Sequence, residues 1–342
     1  MRSIPFYIYL FLAFPLIGQG EVDDFHSHKF ETRVGCNEAF PGYSFKVTSE
    51  YDIGNTFLLL QAGRLTQEPP ELIYEQLERW GFSSTDLIGE NKARAAGYFA
   101  RHEKFNLLAM RGTDTVFEGV MDGFFAQVPA RLLGFRGLTH SGFSALYRNY
   151  QSKIKKLLKT SYSSEPNKPL VITGHSLGGV LARMAALDAV KQKVNVLFTH
   201  VMASPRIGND DFRTYFDKQR NFPVYMTSHR KDITPHLPPT KLNFSHFANL
   251  IGEIIPQLKN FIGGAVQWLN YDSHVLQGMY TFDNRGVEKR TGDGASEQDY
   301  WQYLTEQLMA HPWTHWPSII AQHSAEVHDP DRYLCALTRL QI

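Results

Sequence analysis

The chain has 342 residues, 43% of them apolar and 13% aromatic, which is ample for a large folded core. Thirty-five Lys and Arg stand against 34 Asp and Glu, a net charge of +1, so no broad electrostatic case exists for nucleic acid or an anionic membrane. There is no Walker-type loop and no cysteine cluster, which removes the usual phosphate cradle and thiolate metal site and leaves no cofactor expected.

In chain order, Met1-Arg2 and the 14-residue apolar run Ile4 to Ile17 read as a secretory signal. The run is short for a membrane span, and Gly18-Gln19-Gly20 supplies a small-x-small cleavage site. A signal over 1–20 and an exported mature chain over 21–342 are expected, with an uncleaved anchor as the alternative; no later run reaches spanning length. The only cysteines, Cys36 and Cys335, lie near the two ends of that mature chain. An even pair in an exported protein favours one disulfide, two buried thiols being the other reading.

Leu107 to Met110 reads as a strand closed by Arg111-Gly112-Thr113, so Thr113 falls just past a strand end. In Asp114 to Phe125, Val116, Phe117, Val120 and Met121 fall at i, i+1, i+4 and i+5, an amphipathic turn or two of helix with glycines nearby. Thr139-His140-Ser141-Gly142-Phe143 precedes a helical stretch from Ala145 to Leu158. Leu170 to Thr173 suits a buried strand. Gly174-His175-Ser176-Leu177-Gly178 then fits G-x-S-x-G, and a helical pattern follows at Leu177, Val180, Leu181, Met184 and Leu187. Strand, tight turn and helix hold a serine at a strained apex, with glycines on both sides that let chain pack closely around it. A nucleophilic Ser176 is the reading; the bland alternative is a glycine-rich connection with an idle serine.

Val194 to Met202 reads as a strand followed by Ala203-Ser-Pro-Arg-Ile-Gly-Asn209, and Phe222 to Ser228 as a strand followed by Lys231-Asp-Ile-Thr-Pro-His-Leu-Pro-Pro239. Asn243-Phe244-Ser245 is a glycosylation sequon. From Ala248 to Tyr300, Ile251, Ile254, Ile255, Leu258, Phe261, Ile262, Val266 and Leu269 recur at near-helical spacing, with Pro256 kinking or dividing any helix there. Packing onto the core is the preferred reading and a second lipid-contacting element the alternative. Gly286 to Ser296, rich in charge and glycine, reads as an exposed loop before a helix from Gln298 to Ala310. His311 and His315 have the i, i+4 spacing of a helical metal pair, but Pro312 and Pro317 oppose a helix, and no metal is expected.

These segments, in this order around Gly-His-Ser-Leu-Gly-Gly179, resemble the class 3 lipase family, the fungal-type triacylglycerol lipases, over roughly residues 70–246. The resemblance implies an α/β-hydrolase: one domain over 21–342, with a mostly parallel central sheet flanked by helices. It also implies a short helical lid near 114–125, while the stretch near 248–300 is longer than the family's. Carried over to this chain, Ser176 is the nucleophile and Asp232 the triad acid, with the base downstream in the order expected of this fold. His236 is too close to Asp232, and His246 looks like a structural family histidine. His328-Asp-Pro-Asp-Arg-Tyr-Leu334 is similar to plant-type members, which carry a His, four residues, then Tyr-Leu, and His328 is therefore the expected base. His323 is the rival, since its distance to Cys335 is close to the fungal spacing; His274, His311 and His315 remain. Val327, Met110 and Met202-Ala203 depart from the family pattern, the last two as apolar swaps behind the site.

The oxyanion donors implied are the backbone N–H of Leu177 and a donor at Thr113. Val116, Phe117, Val120 and Met121 would form the apolar face of the lid, although the tryptophan common in family lids is missing. The resemblance thus implies a secreted serine lipase, a monomer without cofactor, hydrolysing carboxylic esters of acylglycerols through an acyl-enzyme at an oil–water or membrane surface. A phospholipase A1 or a feruloyl-type esterase would share every motif, and a catalytically dead lipid-binding homologue would lose a member of the triad.

Overall fold

The computed structural model describes residues 45–89, 95–112, 126–240, 271, 278–283, 286–290, 300–301, 303–304, 306–311, 315, 328–331 and 333–334. Ten strands are formed among these: β1 (Phe82–Ile88), β2 (Gly97–His102), β3 (Asn106–Met110), β4 (Gln127–Pro129), β5 (Leu138–His140), β6 (Leu170–His175), β7 (Val196–Met202), β8 (Val224–His229), β9 (Gly278–Asp283) and β10 (Gly286–Arg290). Eight of them make one sheet in the order β1-β2-β3-β6-β7-β8-β9-β10, while β4 and β5 pair separately. From β3 to β9 every pairing is parallel; the β1–β2, β2–β3 and β9–β10 pairings are antiparallel. The parallel centre follows from the composition of its strands. β3 and β6 are buried along their whole length, as strands with helices on both faces must be.

The period-2 alternation sorts those side chains between two cores. Leu108, Met110, Leu170 and Ile172 point into one core with α3 (Ser141–Ser164) and α4 (Leu177–Lys191). Leu107, Ala109 and Val171 point into the other with α1 (Ile53–Leu65) and α2 (Pro70–Arg79). α4 is buried from Leu177 to Ala189 and is apolar nearly all round, as a helix held between a sheet and a second helix must be. Each fully buried Val, Leu or Met on it contributes about 1.5–3 kcal/mol.

The sequence reading is corrected at the far edge of the sheet. The charged, glycine-rich start of 286–296, expected to be an exposed loop, is strand β10, paired antiparallel with β9 from Gly286↔Asp283 to Arg290↔Met279. Val287 packs against the core, and β10 is the last strand of the sheet among the described residues. The helix expected over 145–158 runs Ser141–Ser164, because the His140 ring accepts from the N–H of Gly142 and caps its start. Among the described residues no helix is long and apolar enough to cross a membrane. Residues 1–44 with Cys36, Asn243, Cys335 and most of 248–277 lie outside the described residues.

Candidate active site

β6 ends at His175 and α4 begins at Leu177, leaving Ser176 as the single joint between them, at φ 57° and ψ −128°. A non-glycine residue held there costs about 1–3 kcal/mol, which the surrounding packing must supply. The Ser176 N–H donates to the Met202 carbonyl at 2.8 Å, and the Ser176 carbonyl accepts from the Gly179 N–H at 2.9 Å. Around the joint, backbone meets backbone. A Cβ on Gly174 would overlap the Gly178 peptide, and one on Gly178 would overlap the Met110 carbonyl. The end of β3 adjoins the same turn: a Cβ on Gly112 would stand 2.7 Å from the His175 carbonyl oxygen. Thr113, the next residue, lies outside the described residues, as do Val116, Phe117, Val120 and Met121. Leu177 is the first residue of α4, so its N–H has no carbonyl to meet within the helix and carries the positive end of the helix dipole.

Asp232 follows β8 and is completely buried. Its Oδ1 accepts the Thr234 N–H at 2.8 Å, while Oδ2 accepts the Tyr333 hydroxyl at 2.6 Å and bonds His328 Nδ1 at 2.8 Å. Burial by itself pushes this carboxyl up, but the His328 charge and hydrogen bond, with the donors Tyr333 and Thr234, outweigh it and hold the group below the usual Asp range. An ionised carboxylate only accepts, so His328 Nδ1 is the donor of that bond, and Nε2 is the ring nitrogen not engaged by Asp232. Ser176 Oγ and His328 Nε2 are both buried and make no hydrogen bond among the described residues. The His175 ring lies 4.6 Å from that of His328 and 5.6 Å from that of Tyr333, centroid to centroid. Burial, and then repulsion from His328, holds His175 down to about 3, so it is an uncharged plate behind the His328 ring.

The loop motifs prove to be wiring. Arg183 on α4 donates to Ser204 Oγ and to the Pro205 carbonyl, and Arg206 donates to the Pro238 carbonyl. The Ser204-Pro-Arg206 string thereby ties α4 to the turn that follows Asp232. His236 sits in a single 3₁₀ turn, Thr234–His236, and stacks on Tyr300 at 4.1 Å. His311 and His315 are exposed, and His246, His274 and His323 lie outside the described residues. Sequence reasoning used Tyr333 only as a spacing mark and missed its hydroxyl bond to Asp232. The signal was available, since a tyrosine buried in a core needs a partner for its hydroxyl.

Residues 107–242 match the model of the class 3 lipase family. A secreted mono- and diacylglycerol lipase A of Penicillium cyclopium is 31% identical over 165 residues, covering 48% of this chain and 53% of that protein. A phospholipase A1-II 3 of Oryza sativa subsp. japonica is 29% identical over 204 residues, covering 49% of this chain and 47% of that protein. The chain spans between 39% and 53% of the length of such curated relatives. The lipase of Rhizopus microsporus var. chinensis superposes with a TM-score of 0.51 at 18% identity, over 80% of this chain and 85% of that one, a likeness of fold. The strained Ser176 elbow and the buried Asp232 turn both fall within residues 107–242, the segment of this chain that is similar to the class 3 lipase family.

Proposed function

We propose that this protein is a serine carboxylic-ester hydrolase acting on acylglycerols, with Ser176 as nucleophile, His328 as general base and Asp232 as the group that orients and charges the pair. The observation that carries the reading is the hydrogen bond from His328 Nδ1 to buried Asp232, which leaves Nε2 available on a ring beside the Ser176 elbow. His328 Nε2 takes the Ser176 hydroxyl proton as Oγ attacks the ester carbonyl. The negative charge that develops on the carbonyl oxygen is received by the Leu177 N–H and by Thr113, each such donor contributing about 3 kcal/mol. The imidazolium returns its proton to the departing alcohol, leaving an acyl-Ser176. Water, deprotonated by His328, then releases the fatty acid.

Asp232 remains ionised throughout, and its other acceptor sites are filled by Thr234 and Tyr333, so its charge faces His328 in one geometry. Neutral His175 supports the ring without opposing the imidazolium. Residues 114–125 act as a lid whose apolar face, Val116, Phe117, Val120 and Met121, opens against lipid. The chain is exported after removal of 1–20, carries a Cys36–Cys335 disulfide and a glycosylation site at Asn243, and works as a monomer. A phospholipase A1 activity is the second reading, favoured by the likeness to the rice protein of that name.

The test is covalent. A fluorophosphonate should label Ser176 in the folded protein, and Ser176→Ala should lose about 10⁴-fold or more in kcat. His328→Ala should lose as much, with the double variant little worse, while His274→Ala, His311→Ala, His315→Ala and His323→Ala keep most activity. Hydrolysis of tributyrin, a long-chain triglyceride, phosphatidylcholine and methyl ferulate then separates the substrate classes. Absence of label on folded protein sinks the hydrolase reading; a dead His323→Ala beside an active His328→Ala moves the base.

A further inference from the structure

His328 sits on a short turn far along the chain from the elbow it must face, and two ties fix that turn. One is Tyr333, bonded to Asp232 and to the His229 N–H. The other is charged. Asp331, three residues after His328, forms an ion pair with Arg64 Nε on α1, and Arg64 Nη1 also lies 3.3 Å from Glu68 Oε1. All three side chains are mostly covered, at 21%, 19% and 15% exposure for Arg64, Asp331 and Glu68. Within the turn, Asp329 Oδ1 accepts the Asp331 N–H and the Asp329 carbonyl accepts the Tyr333 N–H, so the position of Asp331 is passed rigidly to its neighbours.

The far end of this tie is the elbow itself. Gly63, beside Arg64, lies directly under it: a Cβ there would stand 3.7 Å from the His175 nitrogen and 3.6 Å from the Met202 methyl. α1 is further fixed by the Tyr98 hydroxyl, which donates to the Ala62 carbonyl. The helix end that carries Arg64 therefore moves with the nucleophile, and Asp331 moves with the base. Both partners lie outside residues 107–242, the segment matched to the family.

We propose that Arg64, with Glu68 beside it, is a positioning residue that clamps the His328 turn against the Ser176 elbow through Asp331. This inference rests on the hydrolase reading above for its kinetic consequence, though not for its geometry. Removing the guanidinium takes away the cation that Glu68 and Asp331 share in a mostly covered site, leaving their mutual repulsion opposed at Glu68 by Arg111. Glu68 is already held above the usual range by burial first and, against the pull of Arg64, by the charge of Asp331. Such a pair separates, and the turn moves with it.

The experiment compares the full-length protein with Arg64→Ala, Arg64→Lys, Asp331→Asn and the Arg64→Ala/Asp331→Asn double variant. Arg79→Ala, which breaks the exposed pair with Glu75 on α2, serves as control. On a soluble short-chain ester, Arg64→Ala should lower kcat about tenfold with KM within twofold, since misplacing a reacting group costs rate rather than binding. Arg64→Lys should recover most of that loss, the double variant should be no worse than Arg64→Ala, and Arg79→Ala should match wild type. One molar NaCl should lower the kcat of wild type but not of Arg64→Ala, because the pair is partly open to solvent. Modification of His328 by diethyl pyrocarbonate, read by mass spectrometry, should be faster in Arg64→Ala and in Asp331→Asn than in wild type. Unchanged kcat and an unchanged His328 modification rate in both variants would overturn the clamp. Should wild type take no fluorophosphonate label, the hydrolase reading falls, and the modification rate still decides the clamp. If Arg64→Ala does not fold, Asp331→Asn and the salt dependence of wild type decide it in the same way.

Discussion

Three histidines, His175, His200 and His236, are buried and held down to about 3, in each case by burial first. In the unfolded chain each titrates near 6.5. Below that value the unfolded state takes up protons that the folded state refuses, so stability falls as pH falls, from about 6.5 towards about 3. Between pH 7 and pH 5.5, where the unfolded imidazole goes from mostly neutral to mostly charged, one such group costs roughly 1 kcal/mol and three cost roughly 4 kcal/mol. That is a large share of the roughly 5–15 kcal/mol by which a domain is stable. Other shifted groups alter this window little. Asp232, held below its usual range, loses its contribution only at more acid pH, and Glu68, held above its own, gains protons in the opposite sense nearer its ordinary range. His102, partly exposed, adds a little in the same direction as the three.

His200 is the useful handle because its ring Nε2 pairs with Thr227 Oγ1 at 2.8 Å, among Tyr51 and Tyr225 and away from the Asp232–His328 pair. Urea unfolding followed by tryptophan fluorescence at pH 7, 6.5, 6 and 5.5, at constant m, should give the steep acid loss in wild type. His200→Gln should be less stable at pH 7, having lost packing, but its loss on acidification should be about two-thirds of the wild-type loss. A wild-type stability flat across this range, or a His200→Gln slope equal to that of wild type, would refute the reasoning.

Two further outcomes are expected. Tyr333→Phe removes a hydroxyl that donates to Asp232 and accepts the His229 N–H, so it should cost about 2–4 kcal/mol in urea unfolding, with a clear fall in kcat against a soluble ester; unchanged values for both would show the hydroxyl to be idle. Replacing Phe117 and Val120 with Ser should weaken hydrolysis of emulsified triglyceride while sparing a soluble ester, since an apolar face exposed to water costs about 25 cal/mol per Å² and contact with lipid removes that cost; equal losses on both substrates would assign the segment to the fold or the oxyanion loop.

What could be read from the chain was local. Leu170 to Thr173, the glycines at 174, 178 and 179, and the apolar positions of α4 follow one another within 20 residues, so strand, elbow and helix were legible without knowing the neighbours. The central strands were legible because burial on both faces makes them continuous apolar runs. Tertiary structure decided the remainder. Gly286 to Arg290 is a strand only because β9 lies beside it to accept pairing, and its charges conceal that from any local pattern. Several histidines follow Asp232 in the chain, and the one hydrogen-bonded to it lies 96 residues away, selected by where Tyr333 and Leu334 are buried. The Arg64–Asp331 pair spans 267 residues, and neither side chain carries a mark of it in sequence. Hydrophobic periodicity is a property of neighbours along the chain, whereas a hydrogen bond or ion pair between distant loops exists only once the sheet has set the distance between them.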